Sequence, residues 1–178
     1  MNKCGNRIRF AVLLTLLLVA TAGVNAESQW DITLNVPYYA GLKSSTGDIG
    51  DFSQYMFLIP DVKWNYYFGP EWLHFGVGLR LWSLVLESSI YPILSLESNL
   101  GNFVINANIG GGLILFFGLA NDFLADAVFI PEVSVAYRLG KKKRFSIGTG
   151  ALFIVAPNVV GLENSSAFVG TAFARWTF

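Results

Sequence analysis

The stretch Ser166-Ala-Phe-Val-Gly-Thr-Ala-Phe-Ala-Arg-Trp-Thr-Phe178 decides how the chain is read. Taken at every second residue, Phe168, Gly170, Ala172, Ala174, Trp176 and Phe178 make one wholly apolar face. Val169, Thr171, Phe173, Arg175 and Thr177 make the other, which is mixed. A period of two belongs to an extended strand, because successive side chains leave it on opposite sides.

At the opposite end Lys3, Arg7 and Arg9 precede an apolar run from Phe10 to Ala20 and the small-residue exit Val24-Asn25-Ala26. That order predicts a secretory signal peptide over residues 1–26, cleaved after Ala26, and a barrel domain over residues 27–178. A retained anchor is the alternative, but the run is short for a helix that must cross a bilayer. Cys4, the single cysteine, precedes the apolar run, so neither disulfides nor thiolate metal ligands are expected. Hydrophobic residues make up 53% of the chain, yet no later segment offers about 18 uncharged apolar residues in a row. Apolar content spread over alternating segments of roughly ten residues is the pattern of a membrane barrel.

Eight such segments follow in order. Strand one is expected over Gln29–Ala40, with Trp30, Ile32, Leu34, Val36 and Tyr38 on one side and Asp31, Thr33 and Asn35 on the other. A polar loop, Gly41–Asp51, leads to strand two over Phe52–Phe68 and a turn at Gly69-Pro70-Glu71. Strand three covers Trp72–Leu86, strand four Tyr91–Leu100 and strand five Phe103–Phe117. A loop over Gly118–Asp126 precedes strand six, Ala127–Leu139. The basic turn Gly140–Arg144 precedes strand seven, Phe145–Ala156, and Pro157–Ser165 leads into the closing strand. The fold class is thus all-β, an eight-stranded antiparallel up-and-down transmembrane β-barrel. Closure removes the exposed edges of an open sheet.

Charge supports this reading. Within these strands the apolar parity carries no Asp, Glu, Lys or Arg. Asp31, Asp61, Glu97 and Glu132 share the opposite parity with Lys63, Arg80, Arg138 and Arg175. An Arg or Lys facing lipid at mid-depth costs roughly 2–4 kcal/mol, so the charges belong inside. A soluble ligand-binding barrel would reverse the arrangement. An eight-stranded interior is just wide enough for side chains, so these eight residues are expected to form a plug of compensated pairs.

Toward the other end the inward parity turns apolar, with Tyr55, Phe57, Ile59, Trp82, Leu84, Ile93, Ile114, Phe116, Ile130, Leu152 and Ile154, together with Tyr39, Leu86, Val128 and Val169. This is either a small core that closes the barrel or an apolar cup for a hydrophobic small molecule. Pro37, Pro60, Pro92 and Pro131 fall within strands, where each removes a ladder donor. They mark bulges and strand ends, or a weakened wall. Gly76, Gly78, Gly110, Gly112, Gly148 and Gly150 are expected to make room for large inward neighbours.

A terminal Phe closing an alternating strand, with Trp176 two residues before it, resembles the C-terminal signature of bacterial outer-membrane β-barrels. The resemblance implies recognition of this strand by the barrel-assembly machinery and its pairing with strand one. In size, strand count and terminal signature the chain resembles the OmpW- and OmpX-like class of small barrels. For the OmpW type this implies a hydrophobic lumen and sideways passage of small apolar compounds into lipid. Outer-membrane lipid deacylases and acyltransferases are similar in size, but their working His and Ser lie toward the outer leaflet. His74, the only histidine, instead falls near the start of strand three and is expected in the polar plug.

The sequence therefore predicts a bacterial outer-membrane protein surrounded by lipid, with no catalytic residues, cofactor or metal and no nucleic-acid partner. Its favoured function is binding or passing a small hydrophobic compound. The alternative is a non-transporting surface or structural barrel, an antigen or adhesin, and the third reading is a narrow ion channel. The two ends differ in charge. Asp48, Asp51, Glu87, Asp122, Asp126 and Glu163 face only Lys43 at one end, whereas Lys141, Lys142, Lys143 and Arg144 outnumber Glu27 and Glu71 at the other. The basic turn is either an ordinary solvated turn or a contact for anionic headgroups.

Overall fold

The computed structural model describes residues 26–44, 47–51, 57–83, 87–118, 123–156 and 165–178. The strands are β1 (Glu27–Ser44), β2 (Gly47–Asp51), β3 (Ile59–Phe68), β4 (Leu73–Ser83), β5 (Glu87–Leu100), β6 (Phe103–Gly118), β7 (Phe123–Leu139), β8 (Phe145–Ala156) and β9 (Ser165–Thr177). Every pairing is antiparallel between neighbours, and β1 pairs with β9 to close the sheet on itself. Strands β2 and β3 both pair with the edge of β1 that faces away from β9, so together they fill one wall position and the barrel counts eight. Phe178 completes the seam, exchanging backbone hydrogen bonds of 2.8 and 3.0 Å with Trp30.

Alternation in sequence becomes alternation in burial. On β5, Tyr91, Ile93, Ser95 and Glu97 are buried, while Pro92, Leu94 and Leu96 are exposed on the outer wall. On β6, Val104, Asn106 and Asn108 point in between exposed Phe103, Ile105 and Ile109. Rings collect at the end bearing the chain termini, where Trp30 meets Trp64 (6.4 Å), Phe103 meets Tyr137 (5.0 Å) and Phe145 meets Trp176 (4.9 Å). Such belts form where an aromatic body meets hydrocarbon and its edge meets headgroups.

The structure departs from the sequence reading in five places. Residues Gly41–Asp51 were expected as a loop. Instead β1 runs on to Ser44 and forms a hairpin with β2, because backbone pairing can continue beyond the apolar belt without apolar alternation. Strand β3 begins only at Ile59, and β7 begins at Phe123 rather than after Asp126. A bulge at Tyr38, where the register shifts between Pro37 and Tyr39, reverses the parity of the end of β1. Tyr39 therefore leaves the interior and packs outside against Phe168, with ring centroids 5.5 Å apart. Gly112, expected inward, is exposed in a double-glycine bulge, where Gly111 and Gly112 adopt φ of 106° and 79°.

Glycines opposite large inward rings set the barrel's bore. A Cβ on Gly76 would lie 2.7 Å from the Tyr67 ring, one on Gly110 2.6 Å from that of Tyr91, and one on Gly148 2.6 Å from that of Phe173. Gly76→Ala is expected to cost about 1–3 kcal/mol by overpacking. In a Tyr67→Ala background the same substitution should be close to neutral, which a double-mutant cycle by chemical unfolding would read.

Candidate functional site

The interior is two layers stacked along the barrel axis. The layer nearer the termini holds the eight charged residues. Asp31 lies on β1, Asp61 and Lys63 on β3, Arg80 on β4, Glu97 on β5, Glu132 and Arg138 on β7, and Arg175 on β9. Arg80 is the hub. Its Nε and Nη2 donate to the two carboxylate oxygens of Asp61 at 2.9 and 2.7 Å, and its Nη1 donates to Glu132. Asn108 also donates to Glu132 (3.3 Å). Lys63 faces Asp31 at 3.4 Å, and Asp31 also accepts from Thr177 (2.7 Å) and Gln29. Arg138 pairs with Glu97 at 2.8 Å. The Asn106 amide joins Glu97 to Arg175, donating to the carboxylate (3.2 Å) and accepting from Nη1 (3.2 Å). The Arg175 guanidinium rests over the Phe173 ring at 4.7 Å. Acids and bases balance, and Asp31, Asp61, Lys63, Arg80, Glu97 and Arg175 are all buried. Bidentate geometry of the Arg80–Asp61 kind offsets much of the desolvation that burying charge costs. His74 lies at the terminal edge of this layer with its ring against Tyr67, centroids 5.9 Å apart.

The second layer is apolar. Ile93, Ile114, Ile130 and Leu152 form a buried cluster with Tyr91 and Val128, against which Trp82, Phe116, Ile154 and Val169 pack. Ile59 is also buried, at 1% exposure, and its carbonyl accepts from Asn35. Phe57 is not part of this assembly. It precedes β3 and is 46% exposed, so the structure does not bring it into the cup. Tyr55, Leu84 and Leu86 lie outside the described residues.

Two inward rings central to the packing, Tyr67 and Tyr91, were not singled out from sequence. Each is 2% exposed. Their signal was parity alone, since Tyr91 is in step with Ile93 and Glu97, and Tyr67 with Asn65 and Lys63.

Among the described residues, free space inside is small. The void lined by Trp82, Tyr91, Phe116, Leu152 and their neighbours is about 50 Å³. A second, of about 10 Å³, sits where Arg80 and Glu132 meet Trp82 and Leu152. Pockets for drug-sized ligands run to roughly 300–1,000 Å³, so neither void admits one as it stands. A larger space lies on the outer wall at the far end. The bulge lays the Tyr38 ring across Gly170, with its hydroxyl 3.2 Å from Thr149, and turns Tyr39 outward. Between Tyr39, Gly41, Lys43, Phe153 and Phe168 this leaves a groove of about 300 Å³.

No protein-family model matches the chain, and no curated protein matches it. Solved structures do. Neisserial surface protein A (NspA) superposes with a TM-score of 0.54 at 14% identity, over 86% of this chain and 99% of that one. The attachment invasion locus protein Ail of Yersinia pestis, solved with a heparin analogue, gives 0.42 at 11% identity over 85% and 99%. The outer membrane enzyme PagL gives 0.45 at 12% identity over 82% and 98%. The closed antiparallel sheet and the superposition on NspA give the chain the fold of the small eight-stranded outer-membrane β-barrels.

Proposed function

We propose that the chain is a sealed, non-transporting barrel of the bacterial outer membrane. It acts through the surface it presents at the end away from its termini. The reading includes export, with residues 1–26 as a cleaved signal peptide and residues 27–178 as the barrel. Strand β9 is then the segment offered to the barrel-assembly machinery, and the end bearing the termini faces the periplasm.

The observation that carries the proposal is the filled interior. A balanced charged layer and a packed apolar layer lie in series, and among the described residues the voids between them are about 50 and 10 Å³. A roomier feature, the groove beside Tyr39 and Phe168, opens on the outside. No catalytic role is assigned: His74 is engaged with Tyr67 at the terminal end, remote from the presented surface.

In planar bilayers the purified barrel is expected to show no stable stepwise conductance. In vesicles it should not speed the entry of a small apolar dye. A large steady conductance would overturn the sealed reading in favour of a channel, and protein-dependent dye entry would overturn it in favour of hydrophobic passage. That second reading is favoured by one observation, the largely apolar character of the far layer around Trp82, Ile114 and Phe116, with Ser89 and the Tyr91 hydroxyl its polar groups. It requires those side chains to part.

A further inference from the structure

The turn between β7 and β8 carries four consecutive cations, Lys141, Lys142, Lys143 and Arg144, all exposed. It is fixed in place from both sides. Lys143, at φ 52°, donates from Nζ to the Gly101 carbonyl of the β5–β6 turn at 3.2 Å. The Arg144 carbonyl accepts from the Thr177 amide at 2.8 Å, and the Arg138 amide donates to the Asn102 carbonyl at 2.7 Å. Directly beside the cluster on the outer wall stand the Phe145–Trp176 and Phe103–Tyr137 ring pairs. Asn102 holds the Tyr137 hydroxyl at 3.1 Å. Aromatic belts sit at headgroup level, so a turn whose cations stand one to four residues beyond the belt places them near the height of lipid phosphates. Among the described residues no carboxylate is paired with Lys141, Lys142 or Arg144.

From this we infer that the Lys141–Arg144 turn is a docking site for the headgroup of an anionic phospholipid in the leaflet around the termini. The inference rests on the proposed membrane placement. The occupant follows from charge complementarity and height. A cluster flush with the belt meets phosphate groups before it meets a protein, and each cation near an anionic surface adds attraction. Lys143 is spent in part on the neighbouring turn, which leaves Lys141, Lys142 and Arg144 for the lipid.

The test uses the purified full barrel in detergent, exposed to phosphatidylglycerol and phosphatidylethanolamine in equal amounts, with bound lipid read by native mass spectrometry. Wild type should retain phosphatidylglycerol about tenfold over phosphatidylethanolamine. The Lys141→Gln, Lys142→Gln, Arg144→Gln variant should retain both equally, whereas Lys141→Arg with Lys142→Arg should keep the preference. Folding of each is checked by the gel shift between unheated and boiled samples, so a lost preference in a folded variant supports the assignment. Equal retention by wild type, or a preference that survives the triple substitution, would overturn it. So would displacement of the bound phosphatidylglycerol by a soluble acidic peptide, which would assign the turn to a protein partner. An overturned site with an intact gel shift leaves the membrane-barrel reading standing.

Discussion

Arg80→Met is expected to destabilise the folded barrel by about 3–5 kcal/mol, the usual cost of removing one member of a buried ion group. The cause is local. Arg80 holds both oxygens of Asp61 and one of Glu132, and its side chain is 6% exposed. Without it Asp61 and Glu132 lose the cation they share, and the void beside Glu132, about 10 Å³, holds at most about one water in its place. Reversible unfolding in urea, followed by tryptophan fluorescence in lipid vesicles, reads the loss. Arg80→Met combined with Asp61→Asn and Glu132→Gln should recover most of it, since the uncompensated charge is gone and the volume is nearly kept. A single variant within about 1 kcal/mol of wild type would mean that the charged layer is wet. In that case the lumen is not sealed and the proposed function fails with it.

The charged layer was legible in the sequence because two rules act on it together. Strand alternation assigns sides, and the cost of ions in lipid says which side is inward. Asp31, Lys63, Arg80 and Glu132 could be placed by counting in twos, though not paired, since pairing depends on which strands become neighbours and at what stagger. Tyr39 was placed on the wrong side because one extra residue at Tyr38 shifts the count; Pro37 signals a bulge or strand end here but not which residue is inserted. The β1–β2 hairpin was missed for a related reason. Beyond the apolar belt a strand can be polar on both sides, so Gly41–Asp51 reads as loop chemistry while its backbone still pairs. For the apolar layer the composition was legible and the free volume was not. Whether Trp82, Ile114 and Leu152 leave a cup depends on how the Tyr91 ring lies over Gly110, a question of packing in three dimensions.

Leu94→Arg tests the medium around the wall more directly than any lumen variant. Leu94 is 59% exposed at mid-height on β5, between Val77 of β4 and Ile109 of β6, which are exposed as well. On a protein surrounded by water, a substitution at so open a position stays within about 0.5 kcal/mol. On a wall surrounded by hydrocarbon, an Arg at that depth costs about 2–4 kcal/mol, falling to about 0–1 kcal/mol near the interface. Leu100 supplies the depth control. It is 57% exposed on the same strand, beside the Gly101-Asn102 turn, so Leu100→Arg should cost far less than Leu94→Arg although both residues are equally open. Unfolding both variants in the same vesicles measures the gradient. Two small and equal costs would show that the outer wall does not face lipid, whereas a steep difference can come only from a medium that becomes less polar toward the middle of the barrel.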